Sequence, residues 1–252
     1  MSEGEKLNLD KNESLRTVFI TGAGKRLGLK LTQFYLNLGW RVIAHFNSNN
    51  ELEQKNSLTY HSIQANLDDK KAVEQLAEEI LSLGWKVDLM IHNASCFFPD
   101  TKEDDSWQTL SKMMNVHVAA PQYLTMQLLP IFADKANVVA ITDIYADLPN
   151  ERFASYCASK SGLQNLMLSL AQRLAPKYRV NVIQPGPIQF LPEHQAEYRE
   201  KVLSQSLLRK ELGYQAIIDA VQYLAHAEAV TGSVMRVDGG RFVANKYEQS
   251  FI

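Results

Sequence analysis

Short apolar, β-branched runs alternate with helix-period segments along most of this chain, and no other feature restricts its fold as strongly. Thr17-Val18-Phe19-Ile20-Thr21 is the first such run and stops at Gly22. Leu27, Leu31, Phe34, Tyr35 and Leu38 then recur at helical spacing, with Gly39 as a stop signal. Val42 to Phe46 reads as a second strand before the polar loop Asn47-Ser48-Asn49-Asn50. Thr59 to Gln64 reads as a third, leading into a helix near Asp69 to Leu83. The series continues with Val87 to Ile91, a long helix from about Ser106, Asn137 to Thr142, and a helix ending before Pro176. Val180 to Ile183 and Ser233 to Val237 close it. Continuous apolar runs suit strands covered on both faces, and strand–helix–strand repeats imply right-handed crossovers. The expected fold is α/β: a single Rossmann-type, doubly wound parallel sheet with helices on both faces. Ligands then belong beyond the carboxyl ends of the strands. Pro121 is expected to kink the long helix, because proline removes an interior hydrogen bond. Phe190 to Leu212 carries no readable pattern.

The alternation implies one domain over residues 15–252 behind a polar tail, 1–14. Lys and Arg number 26 against 28 Asp and Glu, so there is no basic excess for nucleic acid or an anionic membrane. With no run of about 18 apolar residues and no apolar leader near Met1, a soluble cytoplasmic protein is expected. Cys96 and Cys157 make neither a disulfide framework nor a zinc spacing, and the six histidines include no i,i+4 pair, so no metal is expected. Trp40, Trp85 and Trp107 read as packing, and Met113, Met114 and Met126 as core or subunit-interface residues.

Thr21-Gly22-Ala23-Gly24-Lys25-Arg26-Leu27-Gly28 sits where the first strand meets the first helix. Glycines there let the backbone approach a pyrophosphate, and a helix N-terminus offers free N–H groups. An NAD site usually ends its second strand with a carboxylate for the ribose 2′-hydroxyl. Here that place reads His45-Phe46-Asn47-Ser48. Neutral donors there, with Lys25 and Arg26 in the glycine loop, favour a 2′-phosphate and hence NADPH.

Tyr156 and Lys160 lie four apart in Tyr156-Cys157-Ala158-Ser159-Lys160, on one helix face, and Asp143 precedes Tyr156 by 13 residues. A reductase needs a proton donor beside the carbon that receives hydride, and a lysine cation is expected to draw a phenol toward neutrality. With the glycine turn and Asn93-Ala94-Ser95 after the fourth strand, the pattern resembles the short-chain dehydrogenase/reductase family from about Arg16 to about Val243. Within it the chain is most similar to the pteridine reductases. Arg26 replaces a second glycine, Asp143 replaces the usual serine, and Asn93-Ala94-Ser95-Cys96-Phe97 replaces Asn-Ala-Gly.

The resemblance implies reduction of a dihydropterin (7,8-dihydromonapterin, dihydrofolate or dihydrobiopterin) at its C6=N5 imine. It implies Tyr156 as proton donor, Lys160 as its ribose-binding partner, Asp143 as an aid to Tyr156, and His117 as a relay residue where other members use asparagine. Phe97 would stack the pterin, Ser95 would bond the pterin or a cofactor phosphate, and Arg26 would serve both ligands. Gly22, Gly24, Lys25, Leu27, Gly28, Asn47, Ser48, Asn66, Leu67, Asn93, Ala94, Pro185, Gly186 and Ile188 complete the cofactor set. The resemblance also implies a homotetramer. A carbonyl reductase on the same scaffold and a non-catalytic NADPH sensor are the alternatives.

Overall fold

The computed structural model describes residues 15–52, 54–101, 105–190 and 192–244; the tail at 1–14 lies outside them. Seven strands form one sheet in the order β3-β2-β1-β4-β5-β6-β7, and every neighbouring pair is parallel. They are β1 (Thr17–Ile20), β2 (Arg41–Phe46), β3 (Tyr60–Gln64), β4 (Val87–His92), β5 (Phe132–Ile141), β6 (Arg179–Pro185) and β7 (Val234–Val237). Strand order reverses between β1 and β4, where Val18 pairs with Leu89 and Ile20 with Ile91. The loops that leave β1 and β4 therefore diverge to opposite faces and leave a crevice above the sheet.

The side-chain alternation of each strand feeds two cores. Val18, Ile20, Leu89, Ile91 and Val139 meet α1 (Arg26–Asn37) and α7 (Gly213–His226) on one face. Phe19, Met90, Val138 and Ala140 meet α2 (Lys70–Ser82), α4 (Ala120–Leu128) and α5 (Ala154–Leu174) on the other. Burial on both faces is the reason these strands are apolar throughout. Asp69 caps α2 by accepting from Lys71 and Ala72 N–H, a contact that contributes about 1 kcal/mol.

The long helix expected from Ser106 is built in pieces. α3 (Ser106–Met114) runs into one π-helical turn, Asn115–Ala119, and α4 follows. Ala120 N–H reaches back five residues to the Asn115 carbonyl. Pro121 has no N–H to offer the His117 carbonyl four residues behind it, so the kink expected at Pro121 becomes a widened turn just before it. That turn carries His117 inward, fully buried. Met113 is fully buried in the chain's own interior rather than at a subunit interface. Beyond β6, α6 (Ala196–Ser204) and α7 precede β7, and α8 (Arg241–Ala244) ends the described chain. Among the described residues no helix is long and apolar enough to cross a membrane.

Candidate active site

The turn after β1 is locked from two sides. Asn93, just beyond β4, donates its Nδ2 hydrogens to the carbonyls of Thr21 and Gly22, each at 3.0 Å. Thr21 Oγ1 accepts from Asn93 and Ala94 N–H at 3.0 and 3.1 Å. Gly22 has φ +67°, and a Cβ on it would lie 2.7 Å from Ala94 Cα. On Gly28 a Cβ would meet the Gly22 carbonyl oxygen at 2.0 Å. Gly28→Ala is therefore expected to destabilise the fold by about 2 kcal/mol or more, as overpacking does. Thermal unfolding reads this as a melting-point fall of at least about 4 °C, and an unchanged melting point would contradict the packing described.

His45 corrects one expectation. It does not face outward with Asn47 and Ser48; it is buried, accepts Gly22 N–H at Nδ1 (3.1 Å) and uses Nε2 toward the Ala65 carbonyl (3.0 Å). Burial pushes its pKa down to about 4, so it stays neutral and donates from Nε2. Asn47, Ser48, Lys25 and Arg26 are exposed. Lys25 precedes α1 without capping it, so among the described residues no N-cap side chain satisfies the helix's first N–H groups. Arg26 opens the helix at φ +52°. Folding also brings in Glu51, whose N–H donates to the Gly24 carbonyl at 2.8 Å. Glu51 lies several residues beyond the end of β2, too far along for a sequence pattern to select it.

The side chains of Leu27 and Leu67 lie in the cores, which leaves their backbones to face the crevice. Asn66 is exposed, and its Oδ1 accepts Asp68 N–H at 3.1 Å. On the other side of the crevice β6 ends at Pro185, and Gly186 N–H donates to the Val237 carbonyl at 3.0 Å. A Cβ on Gly186 would lie 2.9 Å from Asp238 Cα. Ile188 accepts Gly213 N–H through its carbonyl at 2.8 Å, which ties the turn after β6 to the start of α7.

Between these walls stand the ionisable groups. Asp143 follows β5, accepts Tyr145 N–H at Oδ1 (2.9 Å), and receives the Tyr156 hydroxyl at Oδ2 (3.0 Å). Lys160, one helical turn beyond Tyr156, is 2% exposed and donates to the Ile141 carbonyl at 3.1 Å. Its Nζ lies 5.6 Å from the centre of the Tyr156 ring. Burial lowers the Lys160 pKa to about 8 against the opposing pull of Asp143. Burial also raises the Asp143 carboxyl, with Lys160 and Arg241 working against the rise. Tyr156 is pushed well above its ordinary value, by burial first and by Asp143 second. Burial and the touching carboxylate both hold the proton on the phenol, while the Lys160 ammonium lies over the ring rather than against the hydroxyl. The pair holds a proton firmly and titrates as a unit.

A third group lies behind Tyr156. His117 Nε2 meets Ser95 Oγ at 3.0 Å and receives Cys96 N–H at 3.2 Å, while Nδ1 meets Ser159 Oγ at 2.8 Å. Ser159 Oγ donates to the Tyr156 carbonyl at 2.8 Å. Burial, aided by the Lys160 charge, lowers the His117 pKa to about 2. On the Ser159 side this chain of bonds ends at the Tyr156 carbonyl, and on the other it reaches the exposed Ser95.

Phe97 stands at the mouth, 56% exposed, edge-on to the Tyr156 ring at 4.8 Å and 78°. Phe153 backs it in a stack at 4.5 Å and 16°. Phe153 escaped sequence reasoning; its position three residues before Tyr156 is the only cue. Asp143, Tyr156, Lys160, Phe97, Ser95 and the glycine turn thus converge at the carboxyl edge of the sheet. A separate cleft of about 580 Å³ opens at the opposite edge, lined by Arg41, Lys86, Asp88 and Lys177 among others, and contains none of them.

Residues 22–241 match a family model described as Enoyl-(Acyl carrier protein) reductase. A dihydromonapterin reductase of Enterobacter sp. (strain 638) is 33% identical over 235 residues, 91% of this chain and 98% of that protein. Its counterpart in Citrobacter koseri is 32% identical over 92% of this chain and 99% of its own. Among solved structures, FolM alternative dihydrofolate reductase 1 from Brucella canis, complexed with NADP, superposes with a TM-score of 0.80 at 25% identity, covering 94% of this chain and 97% of its own.

Proposed function

Because this chain belongs to the short-chain dehydrogenase/reductase family, we propose that it is an NADPH-dependent reductase of a 7,8-dihydropterin. It would add hydride to the C6=N5 imine and release the tetrahydro form. The observation that carries this reading is the Tyr156 hydroxyl donating to a half-buried Asp143 beside the exposed Phe97. A flat, apolar platform next to a firmly held proton suits a planar heterocycle whose ring nitrogen must gain one. The full-length likeness to dihydromonapterin reductases and to the Brucella protein with NADP supports the same substrate class and cofactor.

The residues present fit such a cofactor. Gly22, Gly24 and Gly28 keep the turn free of side chains, the first N–H groups of α1 lack a side-chain cap, and two exposed cations flank them. Lys25 and Arg26 would hold phosphate, with Asn47 and Ser48 beside the 2′-phosphate. Asn66 and the backbone of Leu67 would meet the adenine side, and Lys160 the ribose. Asn93, Ala94, Pro185, Gly186 and Ile188 would line the nicotinamide side. When bound, the reduced nicotinamide supplies the hydride. Asp143 and Tyr156 keep the proton at the phenol oxygen, and Phe97 with Arg26 orients the pterin. The reading includes a homo-oligomer, to which the exposed Trp107 and Leu110 of α3 would contribute; sedimentation velocity measures it.

The test is NADPH oxidation with dihydromonapterin, dihydrofolate and dihydrobiopterin, run beside a simple ketone and repeated with NADH. Turnover of at least one pterin is expected, with NADPH preferred by about tenfold or more, the worth of one charge-assisted phosphate contact. Brisk ketone reduction with all three pterins inert would establish a carbonyl reductase instead.

A further inference from the structure

We propose that Asp147 is a positioning residue for the proton donor: it straps the turn that carries Asp143 to α5, and so keeps the Asp143 carboxylate against the Tyr156 hydroxyl. The inference rests on the reading of Tyr156 as proton donor. Asp143 opens the single 3₁₀ turn Ile144–Ala146 after β5, whereas Tyr156 stands near the start of α5. The two belong to different elements, so their 3.0 Å contact lasts only while turn and helix keep one relative position. Asp143 secures the near end of the turn by accepting Tyr145 N–H. Asp147 closes the far end, its N–H donating to the Ile144 carbonyl at 3.1 Å.

The Asp147 carboxylate binds one side chain from each of three elements. Oδ1 accepts from Gln164 Nε2 on α5 at 3.0 Å. Oδ2 accepts from Gln184 Nε2 on β6 at 2.9 Å and from Arg236 Nη2 on β7 at 2.8 Å. Gln184 is fully buried and uses all its polar atoms here: Nε2 also donates to Gln164 Oε1, and its Oε1 accepts Arg236 Nε at 2.8 Å. Asp147, Gln164 and Gln184 thus close a ring of hydrogen bonds, and a fully satisfied polar ring is rigid. Arg236 is fixed in turn, lying over the Phe242 ring at 3.8 Å.

Gln164 lies about two turns beyond Tyr156 on the same helix. Two more bonds join α5 to the same stretch of chain. Ser161 Oγ donates to the Ala146 carbonyl, and Lys160 to the Ile141 carbonyl at 3.1 Å. The Asp147 strap runs on into β6 and β7, so it fixes turn and helix to the sheet as one body. Burial would raise the Asp147 carboxyl, but the bonds from Gln184, Arg236 and Gln164 hold it below its ordinary range, so the strap stays ionised at neutral and alkaline pH. The other titratable or charged groups facing Tyr156 and Asp143 are Lys160, His117, Cys157 and Arg241.

Gln164→Leu cuts the strap to α5 and alters none of these charges. It should lower kcat by about 10-fold, within the range that a misplacement of about 1 Å produces, while both KM values move less than about threefold. The alkaline decline of kcat should move to lower pH by about one unit or more, because the carboxylate no longer sits against the phenol. Gln164→Asn, whose amide falls one methylene short, should do the same and replaces the leucine variant if that fails to fold. Arg236→Gln frees Asp147 from β7 but leaves its bond to Gln164; it should lower the melting point without moving the decline to lower pH. In an Asp143→Asn background Gln164→Leu should move the decline no further, since the positioned group is gone. An unmoved decline in the Gln164 variants would overturn the proposal and leave Asp147 a purely structural residue. An equal downward shift from Arg236→Gln, or a full further shift in the Asp143→Asn background, would overturn it as well. Undiminished turnover in Tyr156→Phe would instead remove the donor reading itself, an outcome distinct from all of these.

Discussion

Tyr156→Phe is expected to lower kcat by about 10³-fold while leaving NADPH affinity within a few fold. The variant keeps the ring, and with it the edge contact to Phe97 and the Lys160 ammonium over its face. Only the hydroxyl is lost, so the change isolates proton donation, which contributes about 10²–10⁴-fold in enzymes of this kind. A sensor that merely binds the dinucleotide has no use for that hydroxyl, so unaltered biological output from this variant would favour a sensor. The pH profile follows from the same pair. Burial and the touching Asp143 carboxylate push Tyr156 well above its ordinary value, so the phenol keeps its proton to high pH. Reduction consumes that proton, so kcat should decline only as pH rises through the ionisation of the phenol. Asp143→Asn keeps an acceptor for the phenol but removes the neighbouring negative charge, so the limb should move to lower pH. Steady-state rates between about pH 6 and 11 decide it, and an unmoved limb in Asp143→Asn would exclude Asp143 as a source of the shift.

Much of this architecture is legible in the chain itself, and the exceptions have physical causes. Strands buried on both faces write themselves as unbroken apolar runs, so β1, β2 and β4 match their patterns to within about a residue. The capped helix α2 is equally plain, since Asp69 marks its start. α7 is the counter-example: Ile217, Ile218, Val221 and Leu224 bury one face, yet no side chain caps its first residue and Gly213 reads as a loop. α6 buries no residue and therefore leaves no period to detect. Within the site, the pairing of Tyr156 with Lys160 by helix geometry is visible from spacing alone. The size of the Tyr156 shift is not, because burial and an Asp143 carboxylate brought within 3.0 Å by another element both add to it. His117 is the deepest case, since its burial depends on a π turn that the missing donor of Pro121 allows. Local spacing records periodicity, whereas these outcomes depend on burial and on which groups other elements bring into contact.

Lys160→Met should stabilise the fold at neutral pH while abolishing useful turnover. Lys160 is almost wholly buried, and its pKa falls from 10.5 to about 8. That difference corresponds to about 3 kcal/mol of penalty on the charged form. Losing the bond to the Ile141 carbonyl returns about 1 kcal/mol of the gain, and Met fills most of the space of the aliphatic stem. The net expectation is about 1–2 kcal/mol of added stability, a melting point higher by roughly 3–6 °C for a chain of this size. The sign of the pH dependence is fixed by linkage. Below about pH 8 both folded and unfolded Lys160 are charged and the wild type carries the full penalty. Between about 8 and 10.5 the unfolded chain binds a proton that the folded one has released, so wild-type stability rises with pH and the variant's advantage shrinks. Denaturant titrations at pH 7 and pH 9.5 measure both quantities. A variant less stable than wild type at pH 7, or an advantage that ignores pH, would show that the ammonium is not the burden its burial implies. If the gap closes as expected, the fold is holding a cation against its own stability. A site that needs positive charge beside the Tyr156 ring, where a phenolate forms at each turnover, gives that cost a chemical reason.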